Sequence, residues 1–187
     1  MIVTLIKRES FLKIMAIQYK PEILDRLATL LVRYSLAEQL PGKSLDGKNV
    51  QIRAEECASP LVERVANEIK ILGGRPLSHY VNLATQAAWM ENATDEQLQH
   101  VPEREKTLAD MADASLRIKG TERPDIHPRI GRQLDIYWSA RGDIIQRIMS
   151  KPWTVVQFPT QAEARLNGFE SADDYASFVF GACIEVD

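Results

Sequence analysis

Two adjacent carboxylates and one histidine are the residues of this sequence that best suit metal-binding or acid–base chemistry. Glu55 and Glu56 follow a predicted strand and precede a predicted helix, whose dipole favours negative charge at this position. The same carboxylates could instead hold a metal ion or an ammonium group. His127 has Asp125 two residues away in a proline-flanked loop, so the two could form a ligand pair. A structural role is the favoured interpretation of each, and Glu55, Glu56 and His127 are the candidate pocket residues.

Common catalytic and nucleotide-binding motifs are missing from the sequence. It contains no His-Glu-x-x-His zinc motif, no Gly-x-Ser-x-Gly nucleophile elbow and neither of the glycine-rich phosphate-binding patterns. His79 falls within a predicted strand, which favours a position on a face of the sheet. His100 falls within a polar run, which favours a surface position. Cys57 and Cys183 form no Cys-x-x-Cys pair and are predicted to be buried, reduced thiols. The residues alone therefore predict no catalytic and no metal-ligating position.

The composition is that of an ordinary globular protein. The 187 residues are 45% hydrophobic and 26% charged, which suffices for one sizeable core. The net charge of -3, with basic residues spread along the chain, argues against nucleic acid as a partner. The apolar start is interrupted by charges at residues 7–9, so it is too short for a signal peptide or a membrane span. We predict a cytoplasmic chain without membrane contact, in which residues 1–14 are a disordered extension.

The elements that position the candidate residues follow from hydrophobic periodicity. Short runs rich in branched and aromatic residues predict strands at residues 50–54, 76–82, 115–120 and 153–158. Apolar residues at helical spacing predict helices at residues 21–38, 60–72, 83–91, 94–112, 129–149 and 171–185. Ser59, Thr94 and Ser171 are predicted N-caps, and Gly73 and Gly74 close the second helix.

The alternation of strands and helices predicts the fold class. Helical stretches between successive strands imply right-handed crossovers and a mostly parallel sheet. We therefore predict a single α/β domain in which helices flank both faces of a doubly wound sheet. Trp89, Trp138 and Trp153 lie on different elements and are predicted to be core residues.

Three stretches of the sequence resemble one family. "LATLLVRYSL" is followed by a glycine-containing loop, a strand and "SPLVERVANEIKILGGRP". In "ASLRIKGTERPDIHPRIGRQ" a strand with Arg117 and Ile118 is followed by a turn that leads into a helix with Arg132. The tail "PWTVVQFPTQAEARLNGFESADDYASFVFGACIEVD" is the most specific, with matching positions at Trp153, Pro159, Thr160, Ala164, Tyr175, Phe178 and Asp187. In this order, over residues 20–187, the chain resembles the thermophilic metalloprotease family. These are metal-dependent aminopeptidases of the aminopeptidase T, aminopeptidase S and PepS type.

The resemblance implies that residues 15–187 form the N-terminal α/β domain of an aminopeptidase. Members of the family are roughly twice as long as this chain. Their C-terminal domain carries two divalent ions, zinc or cobalt, that activate a water for the removal of N-terminal residues from peptides. No metal ion is expected in this chain, which lacks that catalytic domain and is expected to be inactive alone. The missing catalytic domain and a second copy of the chain are the implied partners, and peptide is the substrate of the complete enzyme only.

Two alternatives stay open. The chain could be a free-standing α/β interaction or ligand-binding domain without peptidase activity. It could also be an independent enzyme whose site contains Glu55, Glu56 and His127. If a C-terminal domain normally covers Phe178 and Phe180, the isolated chain should expose an apolar patch and tend to associate.

Overall fold

The computed structural model describes residues 20–123 and 126–183 of the chain. The predicted extension at residues 1–14 and the last residues of the predicted C-terminal helix lie outside this part. Within it, four strands form one sheet in the order β2-β1-β3-β4, and all neighbouring strands are parallel. The strands are β1 (Asn49–Glu55), β2 (Arg75–Val81), β3 (Ala114–Lys119) and β4 (Trp153–Gln157). The prediction of a single α/β domain with a parallel, doubly wound sheet is confirmed.

Ten α-helices of the described residues flank this sheet. They are α1 (Pro21–Thr29), α2 (Ser59–Ile71), α3 (Leu83–Asn92), α4 (Asp95–Gln99), α5 (Glu103–Met111), α6 (Ile126–Arg129), α7 (Gly131–Ala140), α8 (Gly142–Met149), α9 (Gln161–Leu166) and α10 (Ala172–Gly181). The first helix continues into a π-helical segment at Leu30–Leu36. Short 3₁₀ turns follow at Ala37–Gln39, Pro41–Lys43 and Glu56–Ala58. Among the helices of the described residues, none combines the length and apolar composition needed to cross a membrane.

One face of the sheet is apolar and carries the main core. Side chains alternate along a strand, so Val50, Ile52 and Ala54 of β1 point to the same face, and all three are buried. Helix α2 presents Leu61, Val65 and Ile69 at helical spacing, and all are fully buried in the same cluster. Helix α1, its π-helical continuation, β3 and Phe180 of α10 also contribute to this cluster. Burial of each such side chain typically contributes about 1.5–3 kcal/mol.

The opposite face of the sheet is polar and is covered by a second helical layer. The residues of β1 and β3 that alternate with the core residues include Gln51, Arg53, Ser115 and Arg117. The β2–β3 and β3–β4 connections both run across the sheet in the direction opposite to that of the β1–β2 connection. Right-handed crossovers therefore place helices α3 to α8 on this side. These helices have a separate apolar cluster, whose buried members are Ala87, Met90, Leu98, Ile126, Ile130 and Tyr137.

Several predicted helix ends are confirmed by their hydrogen bonds. Thr94 forms a capping box with Gln97, each side chain accepting from the backbone N–H of the other residue. The hydroxyl of Ser171 accepts from the N–H of Asp174 at the start of α10. Gly73 ends α2 with a φ of +77°, a left-handed conformation that glycine adopts without strain.

Other predicted boundaries are wrong. Ser59 has helical backbone angles and lies inside α2, because a 3₁₀ turn precedes the helix and places Ala58 at its N-cap. The predicted helix at 94–112 is divided by Pro102, whose missing N–H and ring cannot fit a helix interior. The predicted helix at 129–149 is interrupted at Arg141, with φ -101° and ψ 9°, and forms α7 and α8.

The predicted burial of several side chains also needs correction. Trp89 and Trp153 are 43% and 40% exposed rather than in the core, because they face a cavity described below. Cys183 is exposed and Cys57 is partly buried, and both thiols are free. Phe180 is buried within this chain, whereas Phe178 is 65% exposed. The expected apolar patch is therefore centred on Phe178.

Candidate functional site

The carboxyl ends of the strands form a small crevice at the point where the crossover connections reverse their direction across the sheet. In the order β2-β1-β3-β4, the chain leaves β1 to one side and later returns to its other side at β3. Parallel sheets bind ligands at such a switch point, beyond the carboxyl ends of the strands. Here the crevice has a volume of about 140 Å³, and Glu55, Glu56, Cys57, Asn82, Gly120 and Thr121 are among the residues that line it. The structure thus brings together two of the three candidate pocket residues.

Glu56 is held by a hydrogen bond at the rim of the crevice. The side-chain amide of Asn82 donates to Glu56 Oε2 at 2.8 Å. The carbonyl oxygen of the same amide accepts from the N–H of Thr85 and caps α3. Glu56 therefore braces a helix cap, which supports its structural interpretation.

Glu55 is the more unusual carboxyl group of the pair. Burial raises its pKa to about 7, against the opposing charges of Arg117 and Arg53. A carboxyl group with such a pKa exchanges its proton near neutral pH. Burial also raises the pKa of the neighbouring Cys57 thiol to about 12, with Glu122 and Glu55 adding to the shift. Cys57 is therefore protonated at neutral pH and is a poor nucleophile.

Close packing fixes the backbone around this crevice. A Cβ atom on Gly120 would lie 3.0 Å from the carbonyl oxygen of Phe158 and 3.2 Å from Cys57 Sγ. At the neighbouring strand end, the hydroxyl of Thr160 donates to the carbonyl of Thr121 at 2.5 Å and accepts from the N–H of Glu163. Close packing and hydrogen bonds thus join the ends of β1, β3 and β4 beside the crevice.

His127 is the third candidate residue, and it lies on the short helix α6. Its side chain is outside the part of the chain that the structure describes, so its grouping with Glu55 and Glu56 stays a prediction. Across residues 20–123 and 126–183, no three His, Cys, Asp or Glu side chains are placed so that they could hold a metal ion together. The described donors therefore do not fit a two-metal centre, and no metal-assisted step is assigned to them.

A much larger cavity lies between the polar face of the sheet and the second helical layer. Its volume is about 760 Å³. The floor is formed by strand residues, among them Arg53, His79, Arg117 and Lys119. The walls are aromatic and aliphatic, with Trp89, Trp138, Trp153, Ile144, Ile145 and Ile148 as the main members. Sequence reasoning missed this site, although the alternation of Arg53 and Arg117 with apolar residues in their strands was the signal that could have indicated it.

The helical wall of this cavity is fixed by a buried arginine. Arg141 donates from Nε and Nη2 to the two carboxylate oxygens of Glu105, at 2.8 and 3.1 Å. It also donates to the backbone carbonyls of Leu98, His100 and Tyr137, and its guanidinium lies 3.4 Å from the ring centroid of Tyr137. One side chain therefore ties α4, α5 and α7 together.

His79, the histidine predicted on a sheet face, is partly buried on the cavity floor beside these charges. Burial lowers its pKa, and the positive charges of Arg53 and Arg104 lower it further. The imidazole is therefore mainly neutral at pH 7 and can accept a hydrogen bond from a ligand. His100 ends α4 and is exposed, as predicted.

Comparison with known proteins connects this architecture to a peptidase family. The family model described as thermophilic metalloprotease (M29) matches residues 20–186. No curated protein matched the sequence. Among solved structures, wild-type AmpT from Thermus thermophilus is similar, with a TM-score of 0.63 and 19% identity.

The alignment with AmpT covers most of this chain but less than half of AmpT. It includes 87% of this chain and 42% of the AmpT chain, and at this identity it supports the fold alone. The family model, in contrast, matches well over half of the sequence, in agreement with the resemblance found in the residues. The chain belongs to the thermophilic metalloprotease family.

Proposed function

We propose that this chain is the N-terminal, non-catalytic portion of a metal-dependent aminopeptidase. The observation that carries the proposal is the family match over residues 20–186 in a chain that spans 42% of the length of AmpT. In the complete enzyme, two divalent ions, zinc or cobalt, supply an activated water and polarise the scissile carbonyl. This domain would help to enclose the site and would leave the chemistry to a C-terminal domain.

The side chains at the switch point support a non-catalytic role. Glu56 is engaged in bracing the cap of α3, and the Cys57 thiol is protonated at neutral pH. Metal binding needs several converging donors, and the described residues offer no such group of three. We expect the isolated chain to hold no catalytic metal and to cleave no peptide.

An aromatic cluster with one exposed ring supports a partner on the C-terminal side. The ring centroid of Phe169 lies 5.4 Å from that of Phe178 and 5.1 Å from that of Tyr175. Phe178 remains largely exposed. We propose that the catalytic domain covers this cluster and that the complete enzyme acts on peptides in the cytoplasm as a homodimer. Burial of one such ring would contribute about 1.5–3 kcal/mol to the contact.

A second candidate function is a free-standing ligand-binding or interaction domain without peptidase activity. The cavity of about 760 Å³ favours this alternative, because small-molecule sites commonly have volumes of about 300–1,000 Å³. The DNA that follows the codon for Asp187 discriminates between the two. A downstream segment with spaced Glu, His and Asp codons supports the aminopeptidase, and its absence supports the alternative.

The direct test is an activity and metal-content measurement on the purified 187-residue chain. Leucine p-nitroanilide would be offered with added Zn²⁺ or Co²⁺, and bound metal would be measured after gel filtration. We expect no turnover and no stoichiometric metal, with AmpT as the positive control. Turnover that a chelator abolishes would contradict the proposed non-catalytic role.

A further inference from the structure

Two arginines stand side by side on the floor of the large cavity. Arg53 of β1 and Arg117 of β3 are register partners in adjacent parallel strands, so their side chains leave the sheet on the same face. Both line the cavity, together with Lys119 and Arg104. Like charges on neighbouring strands repel, which is unfavourable unless an anion lies between them.

Neither arginine forms an ion pair with a carboxylate of the described residues, although the charge of Glu55 acts on both. Within the described residues, no salt bridge or hydrogen bond occupies the guanidinium of Arg53 or Arg117, and Arg53 instead lies 5.1 Å from the ring centroid of Trp138. Among the described residues that line the cavity, Glu105 is the single carboxylate, and Arg141 binds both of its oxygens. Glu55 lies at the end of the same strand face, but its pKa of about 7 leaves it partly protonated at neutral pH.

The rest of the cavity suits an apolar body. All three tryptophans of the chain line it, and α8 contributes Ile144, Ile145, Ile148 and Met149. A site with an apolar lining and a few convergent charged groups is the usual form of a small-molecule pocket. Guanidinium groups bind carboxylate and phosphate oxygens through paired, charge-assisted hydrogen bonds.

We propose that this cavity binds a small organic anion, with a carboxylate or phosphate group on Arg53 and Arg117. The aromatic or aliphatic body of the ligand lies against Trp138, Trp153 and the isoleucines of α8. The inference goes beyond the proposed function and does not depend on it. Peptide turnover by the chain would overturn the non-catalytic role and leave this site unaffected.

Tryptophan fluorescence provides the readout, because every tryptophan of the chain lines the cavity. The purified chain would be titrated with phenyl phosphate, with N-benzoylglycine and with the neutral benzyl alcohol. We expect saturable quenching by at least one anion and no saturation by the alcohol. Preference for phenyl phosphate assigns a phosphate ligand, and preference for N-benzoylglycine assigns a carboxylate ligand. Saturation by the alcohol at the same concentrations, or by no probe up to about 10 mM, would overturn the proposal.

Substitution of Arg117, one of the two arginines on the cavity floor, provides a second test. We expect Arg117→Gln to weaken anion binding about ten-fold or more, because one charge-assisted contact is lost. Arg165→Gln is the matched control, since Arg165 is an exposed arginine on α9 outside the cavity lining. Equal affinity in Arg117→Gln and Arg165→Gln would refute the assignment. Should Arg117→Gln fail to fold, the wild-type chain still decides, because anion affinity must fall as NaCl rises from about 0.05 to 0.5 M.

Discussion

Replacement of Arg141 by methionine tests whether one buried ion pair holds the second helical layer. The side chain is 5% exposed and makes two charge-assisted bonds to Glu105 and three bonds to backbone carbonyls. Methionine is of similar length and fills part of the space, but it leaves the carboxylate and the carbonyls without this donor. Breaking a buried pair by removal of one partner typically costs about 3–5 kcal/mol. The Glu105 side chain keeps 30% exposure, so we place the loss near the lower limit, at about 3 kcal/mol.

A matched control lies six residues further along the chain. Arg147 donates to Asp110 at 2.8 Å, and these side chains are 52% and 57% exposed. Such exposed pairs contribute about 0–1 kcal/mol, so Arg147→Met should change stability little. Glu105→Gln should fall between the two, at about 1–2 kcal/mol, because Arg141 keeps its carbonyl acceptors.

Urea unfolding followed by far-ultraviolet circular dichroism measures all three variants against the wild-type chain. We expect the midpoint to fall most for Arg141→Met, less for Glu105→Gln and least for Arg147→Met. A loss for Arg141→Met no larger than that for Arg147→Met would refute the reasoning. It would mean that the apolar contacts of the second layer, and not this ion pair, fix α4, α5 and α7.

Two further predictions concern the switch point. Gly120→Ala should destabilise the fold by about 1–3 kcal/mol in urea unfolding, because its Cβ atom would crowd Phe158. Gly131→Ala is the control and should be neutral or slightly stabilising, because no neighbouring atom lies within 4 Å of the added Cβ atom. Equal effects of the two substitutions would contradict the packing argument. Glu55 has a folded-state pKa of about 7 against 4.5 for the free side chain, so the unfolded state loses its proton first and wild-type stability falls between about pH 4.5 and 7. The stability of Glu55→Gln minus that of wild type should therefore grow from pH 5 to pH 8, and a difference independent of pH would refute the shift.

Local chemistry made part of this fold predictable from the sequence. The four predicted strands agree with the observed ones to within one residue at each end, because their branched and aromatic runs lie between glycine, proline and capping residues. Thr94, Ser171 and Gly73 were assigned correctly because a cap depends on hydrogen bonds and angles within a few residues. The position of Glu55 and Glu56 at a strand end is also predictable, because it follows directly from the predicted strand at residues 50–54.

Features that depend on distant residues were not predictable in this way. The helix break at Arg141 coincides with a side chain that binds Glu105 and Leu98, 36 and 43 residues earlier in the chain. Nothing in the apolar periodicity of residues 129–149 reports these contacts. Trp89 and Trp153 were wrongly placed in the core because their size favours burial, whereas the tertiary structure turns them towards a cavity.

The cavity also follows from a conflict between strand pattern and sheet type. Parallel strands are usually covered on both faces and read as continuous apolar runs. Here buried apolar residues alternate with polar ones along β1 and β3, so Arg53 and Arg117 lie on a face of the sheet that helices cover. Apolar side chains at these positions would allow the helical layer to pack directly onto the sheet, whereas the charged side chains line a cavity between the two layers. Departures from a local rule without compensation nearby are expected at functional sites, which is why the polar face, rather than the carboxylates at the strand ends, is the part of this domain most suited to binding.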